Sequence, residues 1–327
     1  MIDLHLHLDG SLSPELVRKL AHLQKITLPA EDPKALEDFL SVPQDCDSLN
    51  QYLRCFDLPV AVLQSAEALT MAVQDLAFRL ERQGLLYAEM RFAPSQHTKQ
   101  GLTQAQAVEA AVAGLPKNGK VGDTFSAQLI LCCMRGGEEA ANRETVDVAA
   151  RYLGQGVCAV DLAGAEALYP TENYGDLFSY ARSLGVPFTL HAGEAAGPES
   201  IWEAVELGAQ RIGHGVRAKE DPQLVARLAE KQIPLELCPT SNLQTKAVAD
   251  LEDFPIREYL EQGLIVTVNT DNMTVSHTTI WQEFQLLRSQ GLTESEYRAV
   301  LRNSAAAAFL SQQDKGKLLQ AVQARLS

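Results

Sequence analysis

The residues with the most chemical potential in this 327-residue chain are its histidines, of which there are seven. His5 and His7 alternate within Asp3-Leu-His-Leu-His-Leu-Asp9. Residues two apart on a strand share a face, so both imidazoles can aim at one centre. His191 opens His191-Ala-Gly-Glu194, His214 closes Arg211-Ile-Gly-His, and Asp271 follows an apolar run in Asn269-Thr-Asp-Asn272. Imidazole and carboxylate are ligands suited to Zn2+, and such a set leaves room for a water, as in an open catalytic site. Each piece alone has a plainer reading: His-x-His occurs by chance, and a His-Gly or Asp after a strand is usually a turn or cap residue. The signal is that several candidate strand ends carry these groups together. His22 and His97 lie in polar stretches and read as solvated. His277, six residues after Asp271, reads as a loop residue.

Something must bring these positions together. Short apolar runs read as strands at Ile2–Leu8, Leu85–Phe92, Phe125–Met134, Val157–Leu162, Pro187–Leu190, Arg211–Gly213, Ile233–Leu237 and Leu264–Val268. Helix-like segments separate them. Ser13-Pro14-Glu15 supplies a cap and an N1 proline before Leu16, Leu20 and Leu23. Leu69, Ala72, Val73, Leu76 and Leu80 form an apolar stripe ended by Gly84. Alternation of this kind favours a parallel sheet wrapped in helices, and eight units favour an α/β fold of the (β/α)8 TIM-barrel type over an open doubly wound sheet. Extra helices are expected after the first strand, between Gly10 and Gly84. The carboxyl ends of barrel strands converge on one rim, where active sites are built. One catalytic domain over 1–327 is the expectation.

Composition sets the boundaries. Hydrophobic residues make up 46% of the chain, enough for a large core. No run approaches the length of a membrane span, and an N-terminal leader is not expected where His5 already belongs to the chemistry. The formal net charge of −14 disfavours nucleic acid as a partner. Six cysteines without paired CxxC spacing read as reduced thiols, Cys132 and Cys133 among them, and cytoplasm is the expected compartment.

Several segments resemble the adenosine deaminase family of the amidohydrolase superfamily: Leu4-His-Leu-His-Leu-Asp-Gly-Ser11, Asp161-Leu-Ala-Gly164, His191-Ala-Gly-Glu194, Arg211-Ile-Gly-His-Gly215, Cys238-Pro-Thr-Ser241 and Asn269-Thr-Asp271. They follow the family's order across nearly the whole chain. The resemblance implies one Zn2+ per chain held by His5, His7, His191 and Asp271. It implies Glu194 as proton shuttle and His214 as the group that orients and helps deprotonate the attacking water. Asp9 would accept from a ribose hydroxyl, the Gly164 amide would face the purine edge, and Leu49, Tyr52, Leu53 and Phe56 match the family's hydrophobic lid in spacing. Those four also fit one inward face of an amphipathic helix. The implied reaction is deamination of a purine nucleoside, adenosine to inosine. Adenine, aminofutalosine, N6-substituted adenosines and a catalytically silent nucleoside binder are the alternatives.

Two positions depart from the family. Asn272 stands where better-known members carry a second Asp facing purine N7, and an amide can donate to that nitrogen without prior protonation. Ala165 stands where an Asp often follows the glycine. Binuclear relatives use a carboxylated lysine on strand four, but this chain has no lysine between Lys120 and Lys219. Neither H-x-E nor P-C-x-x-C of the cytidine deaminases occurs.

Overall fold

A computed structural model describes the whole chain except Gln44, Asp45, Asp47 and Ser327, together with all side chains of the described residues but that of Asn50. Eight strands follow one another: β1 (Ile2–His7), β2 (Tyr87–Phe92), β3 (Ser126–Met134), β4 (Val157–Ala163), β5 (Thr189–Ala192), β6 (Arg211–His214), β7 (Leu235–Leu237) and β8 (Val266–Val268). All pair in parallel, as two four-stranded sheets in the orders β1-β2-β3-β4 and β5-β6-β7-β8. Both seams between the sheets carry single bridges. Val160 pairs with Phe188 on one side and Leu6 with Asp271 on the other. At the second seam His7 N donates to Asp271 O at 2.7 Å and Asp271 N to His5 O at 2.8 Å. This is the strand order of a (β/α)8 barrel, and the seam itself places Asp271 beside the two histidines of β1.

The eight expected strands all exist, but their ends move. β5 and β6 run on through His191 and His214, because the register Thr189↔Arg211 to Ala192↔His214 gives those backbones partners. The first turn of each is thereby pushed to the next residue. His214 and Asp271 have left-handed backbones, at φ 60° and 59°. Non-glycine residues in that region are strained and cluster at functional sites.

The insertion after β1 holds the helices Pro14–Gln24, Pro33–Leu40, Leu49–Tyr52, Asp57–Val62 and Ala66–Arg82. Ser13 caps the first as expected, its hydroxyl accepting from Leu16 N. In the Ala66–Arg82 helix, Leu69, Ala72, Val73, Leu76 and Leu80 are all buried. Two further helices, Glu294–Ala307 and Gln312–Leu326, close the chain. Phe309, between them, packs on Ile130, Cys158 and Ala159 of the strands. Among the described residues no single helix is long and apolar enough to cross a membrane.

Candidate active site and metal centre

β1 delivers His5 to the barrel axis, fully buried, and His7 one pleat higher. Around them gather His191, His214 and Asp271. Ring centroids lie 4.5 Å apart for His5 and His191, 4.7 Å for His5 and His214, and 5.2 Å for His7 and His191. The close approach depends on Gly213: a Cβ there would stand 3.1 Å from both His191 Cα and His5 Cε1. Ligand atoms of His5, His191, His214 and Asp271 all fall within 4.8 Å of one another. His7 joins the same cluster, with Nε2 3.2 Å from His191 Nε2 and 3.5 Å from Asp271 Oδ1.

Hydrogen bonds behind the rings decide which nitrogens are free. His5 Nδ1 lies 2.7 Å from Glu236 Oε2, and His191 Nδ1 2.9 Å from Asp161 Oδ2. A carboxylate only accepts, so each Nδ1 carries the proton and each Nε2 offers its lone pair to the centre. His5 Nε2 is buried without a hydrogen-bond partner. His214 is wired the other way. Asn242 Oδ1 accepts from Cys238 N at 3.2 Å, which fixes the amide, so Asn242 Nδ2 donates to His214 Nδ1 at 2.9 Å. Neutral His214 therefore carries its proton on Nε2. It can donate to an incoming water but has no lone pair there to bind a metal or take a proton. That wiring favours His7 over His214 as the third imidazole ligand and turns the Nε2–H of His214 toward the cavity.

Charge points the same way. Burial, with the neighbouring cationic groups, holds His7, His191 and His214 below the ordinary imidazole range. Burial pushes Asp161 and Glu236 up, but His191 and Arg91 outweigh it for Asp161, as Arg211 and Arg91 do for Glu236, and both stay well below the usual range. Arg91 donates to Asp161 at 2.8 Å and to Glu236 at 3.0 Å. Arg211 donates to Glu236 at 2.6 Å and lies 2.6 Å from Glu89. Arg91 is thus shared by Asp161 and Glu236 and Arg211 by Glu236 and Glu89, whereas Asp271 has only imidazoles and the Ser241 hydroxyl beside it, an excess of negative charge at the cluster. Free Nε2 lone pairs, one carboxylate and that excess fit a divalent cation.

Above the cluster opens a cavity of about 430 Å3, lined by His7, Asp9, Gly164, His191, Glu194, His214, Asp271 and Asn272 among others. Every site residue expected from the sequence lines it except His5, which lies beneath its floor. Glu194 is buried, with Oε2 3.6 Å from His214 Nε2. Burial, then the charges of Asp271 and Glu166, hold its carboxyl well above the usual range. Burial likewise pushes Asp9 up to about 6. Asn272 Oδ1 is buried without a partner against Gly10, where a Cβ would meet it at 1.8 Å. Leu49, Leu53 and Phe56 are half-buried at the cavity wall, whereas Tyr52 is buried and its hydroxyl lies 2.6 Å from Ser276 Oγ. All four line the cavity, and Leu49 and Phe56 also pack into the small core around Tyr52, so the lid and inward-packing readings hold together.

Sequence reasoning missed the supporting residues. Glu236, Arg91, Asn242 and Glu166 have no role in the sequence reading, and Asp161 and Ser241 (whose hydroxyl donates to Asp271 Oδ2 at 2.6 Å) appear there only inside motifs. A signal existed: Arg91, Asp161 and Glu236 are charged residues inside apolar strand runs, where a parallel barrel buries every position. His97 overturns an expectation. It is fully buried rather than solvated, its ring 5.7 Å from that of Phe92, and burial holds it down at about 4. His22 and His277 are exposed and pair with Glu31 and Glu37.

Comparison with known proteins agrees with this geometry. The family model described as "Adenosine deaminase" matches residues 1–325. An adenosine deaminase of Haemophilus ducreyi is 53% identical, covering 99% of this chain and 96% of that protein. One from Enterococcus faecalis is 41% identical, covering 98% and 95%. Among solved structures, adenine deaminase from Arthrobacter aurescens superposes with a TM-score of 0.89 at 30% identity, covering 99% of this chain and 98% of that one. An amidohydrolase from Burkhoderia ambifaria with bound Zn gives 0.87 at 21% identity, covering 99% and 90%. With its barrel, its buried histidine–carboxylate cluster and these relatives, the chain belongs to the adenosine deaminase family.

Proposed function

We propose that this chain hydrolyses adenosine to inosine and ammonia, with one Zn2+ held by His5, His7, His191 and Asp271. The observation that carries this reading is the cavity in which the His7 and His191 rings and Asp271 lie beside the buried carboxyl of Glu194, with His5 beneath its floor. A bound Zn2+ would supply a nucleophile from water at neutral pH. The remaining work falls to side chains. His214 donates from Nε2 and fixes the direction from which water reaches C6. Glu194, kept protonated by burial, gives its proton to ring N1 as the water oxygen bonds to C6, so the ring can accept the electron pair. The Glu194 carboxylate then takes one proton of the added water and passes it to the 6-amino group, and it takes the other as C6–O becomes a carbonyl, which leaves it protonated again. The C6–N bond breaks and ammonia leaves.

Asp9 accepts from a ribose hydroxyl, the Gly164 N–H meets the purine edge, and Asn272 donates to N7. Leu49, Leu53 and Phe56 exclude bulk water. These are the roles that the family resemblance implies, supported by the residues' place in the cavity wall, and the likeness to adenosine deaminases supports the substrate. A single catalytic domain spans 1–327, supported by one apolar core that runs through both sheets. Small purine nucleosides, not nucleic acid or membrane, are its partners, and six unpaired thiols suit the reducing cytoplasm.

The test is loss of absorbance at the adenine band on mixing purified protein with adenosine, run beside adenine and aminofutalosine, with metal analysis of the same sample. Adenosine consumed fastest and about one zinc per chain are expected. Preference for either rival base, or two metals per chain, overturns the corresponding part.

A further inference from the structure

The loop that carries Glu194 is wrapped around a second carboxylate. Glu166 is 2% exposed. Its Oε2 accepts from Glu194 N at 3.0 Å, Ala195 N at 2.7 Å and Ala196 N at 2.9 Å, and its Oε1 from Gly193 N at 2.7 Å and Ser200 Oγ at 2.5 Å. Four successive N–H groups converging in this way form an anion-binding concavity. Such a concavity commonly takes a phosphate, but here the chain fills it with its own side chain. The concavity needs Gly193, whose φ is +72° and whose Cβ would stand 2.3 Å from Ile201 Cδ1.

The anchor extends further. Ser200 Oγ lies 2.7 Å from Thr171 Oγ1, which accepts from Arg135 Nη2 at 2.9 Å, and the same Nη2 donates to His191 O at 2.7 Å. Residues 191–196 are thus pinned from two directions, at the ligand end by Arg135 and at the Glu194 end by Glu166. Glu166 itself does not line the main cavity.

We propose that Glu166 is the positioning residue for Glu194: its carboxylate fixes the backbone of 193–196 so that the Glu194 carboxyl is aimed at the purine ring and not along the loop. The role rests on the reading of Glu194 as proton shuttle. Both carboxylate oxygens are needed. In Glu166→Gln one of them becomes an NH2 facing N–H donors: at Oε1 it loses the Gly193 N bond, since the Ser200 hydroxyl can turn and accept, and at Oε2 it loses three, so the loop must shift. Misplacing a catalytic group by about 1 Å can cost about 100-fold in rate.

The test is a double-mutant cycle on the metal-loaded enzyme, measuring kcat, KM and metal content for Glu166→Gln, Glu194→Gln and both together. Glu166→Gln is expected to lower kcat about 100-fold while KM stays within about threefold and metal content is unchanged. Added to Glu194→Gln, it is expected to lower residual single-turnover rate by less than about threefold, since it acts through a group already removed. A parent-like kcat, an equal loss in the Glu194→Gln background, or loss of metal would overturn the assignment. If Glu166→Gln does not fold, Ser200→Ala removes one donor of the five, and about a fivefold fall in kcat at constant KM is expected. An unchanged kcat in that variant rejects the role. Failure of the functional reading looks different: Glu194→Gln would then turn over like the parent.

Discussion

The two mouths of this barrel both bury charged groups and do opposite things. At the amino-terminal mouth, Glu89 Oε1 accepts from Phe309 N at 2.6 Å and Tyr87 Oη at 3.1 Å, and Oε2 lies 2.6 Å from Arg211. The Phe309 ring covers the Arg211 guanidinium at 3.9 Å, and Gln128 holds the Phe309 carbonyl. Charges there are matched and capped by an aromatic plug. At the carboxyl-terminal mouth, His5 Nε2 and Asn272 Oδ1 lack partners, a carboxyl stays protonated by burial, and a cavity opens above. Burying charge is compatible with either outcome. It becomes chemistry only where donors and acceptors are left unbalanced toward open space.

The strongest way to break this contrast is Glu194→Gln. A carboxamide fills the same space but cannot carry the proton, so kcat is expected to fall about 1,000-fold or more with metal content unchanged. Near-parent turnover would mean the unbalanced mouth is not where protons move. Next in size is the opposite mouth. Arg211→Met leaves Glu89 buried without its cation and is expected to cost about 3–5 kcal/mol in chemical denaturation. Turnover per folded molecule should stay within about threefold of the parent, and a larger catalytic loss would show that the two ends are coupled through Glu236.

His97 sharpens the contrast from a third position, buried beside the site but outside its cavity. Held near 4 in the folded chain against 6.5 when free, it binds its proton more readily unfolded. Stability is therefore full above pH 6.5 and is lost as pH falls toward 4, by about 3 kcal/mol at some 1.4 kcal/mol per pH unit. His97→Phe should flatten the fall in melting temperature across that window, and an unaltered slope would assign acid sensitivity to other groups. The smallest expected effect is at Asn272. Loss of N7 as acceptor, in 7-deazaadenosine, should raise KM or lower kcat by about 10-fold. Kinetics identical to adenosine would remove the N7 contact.

Much of the site was legible because its carriers are strand ends. A histidine pair at spacing two, or a His-x-x-Glu after an apolar run, survives in one dimension, since pleat and strand order fix where such residues face. The supports were less legible for a physical reason. Glu236 steadies His5 from 231 residues away, and Asn242 sets the tautomer of His214 from across a strand end. Hydrogen-bond direction depends on what the second atom also touches, which no spacing records. His97 misled because its neighbours are polar in sequence while the fold buries it against Phe92.

By itself the sequence determined the eight alternating units, the family and the residues gathered at one rim, because periodicity and strand register are local properties of the chain. The tertiary structure decided which nitrogens of His5, His191 and His214 are free, how deeply each lid residue is buried, and that Glu166 anchors the loop of Glu194. Those outcomes depend on the order in which buried donors and acceptors satisfy one another, and that is settled only when distant strands close around a common axis.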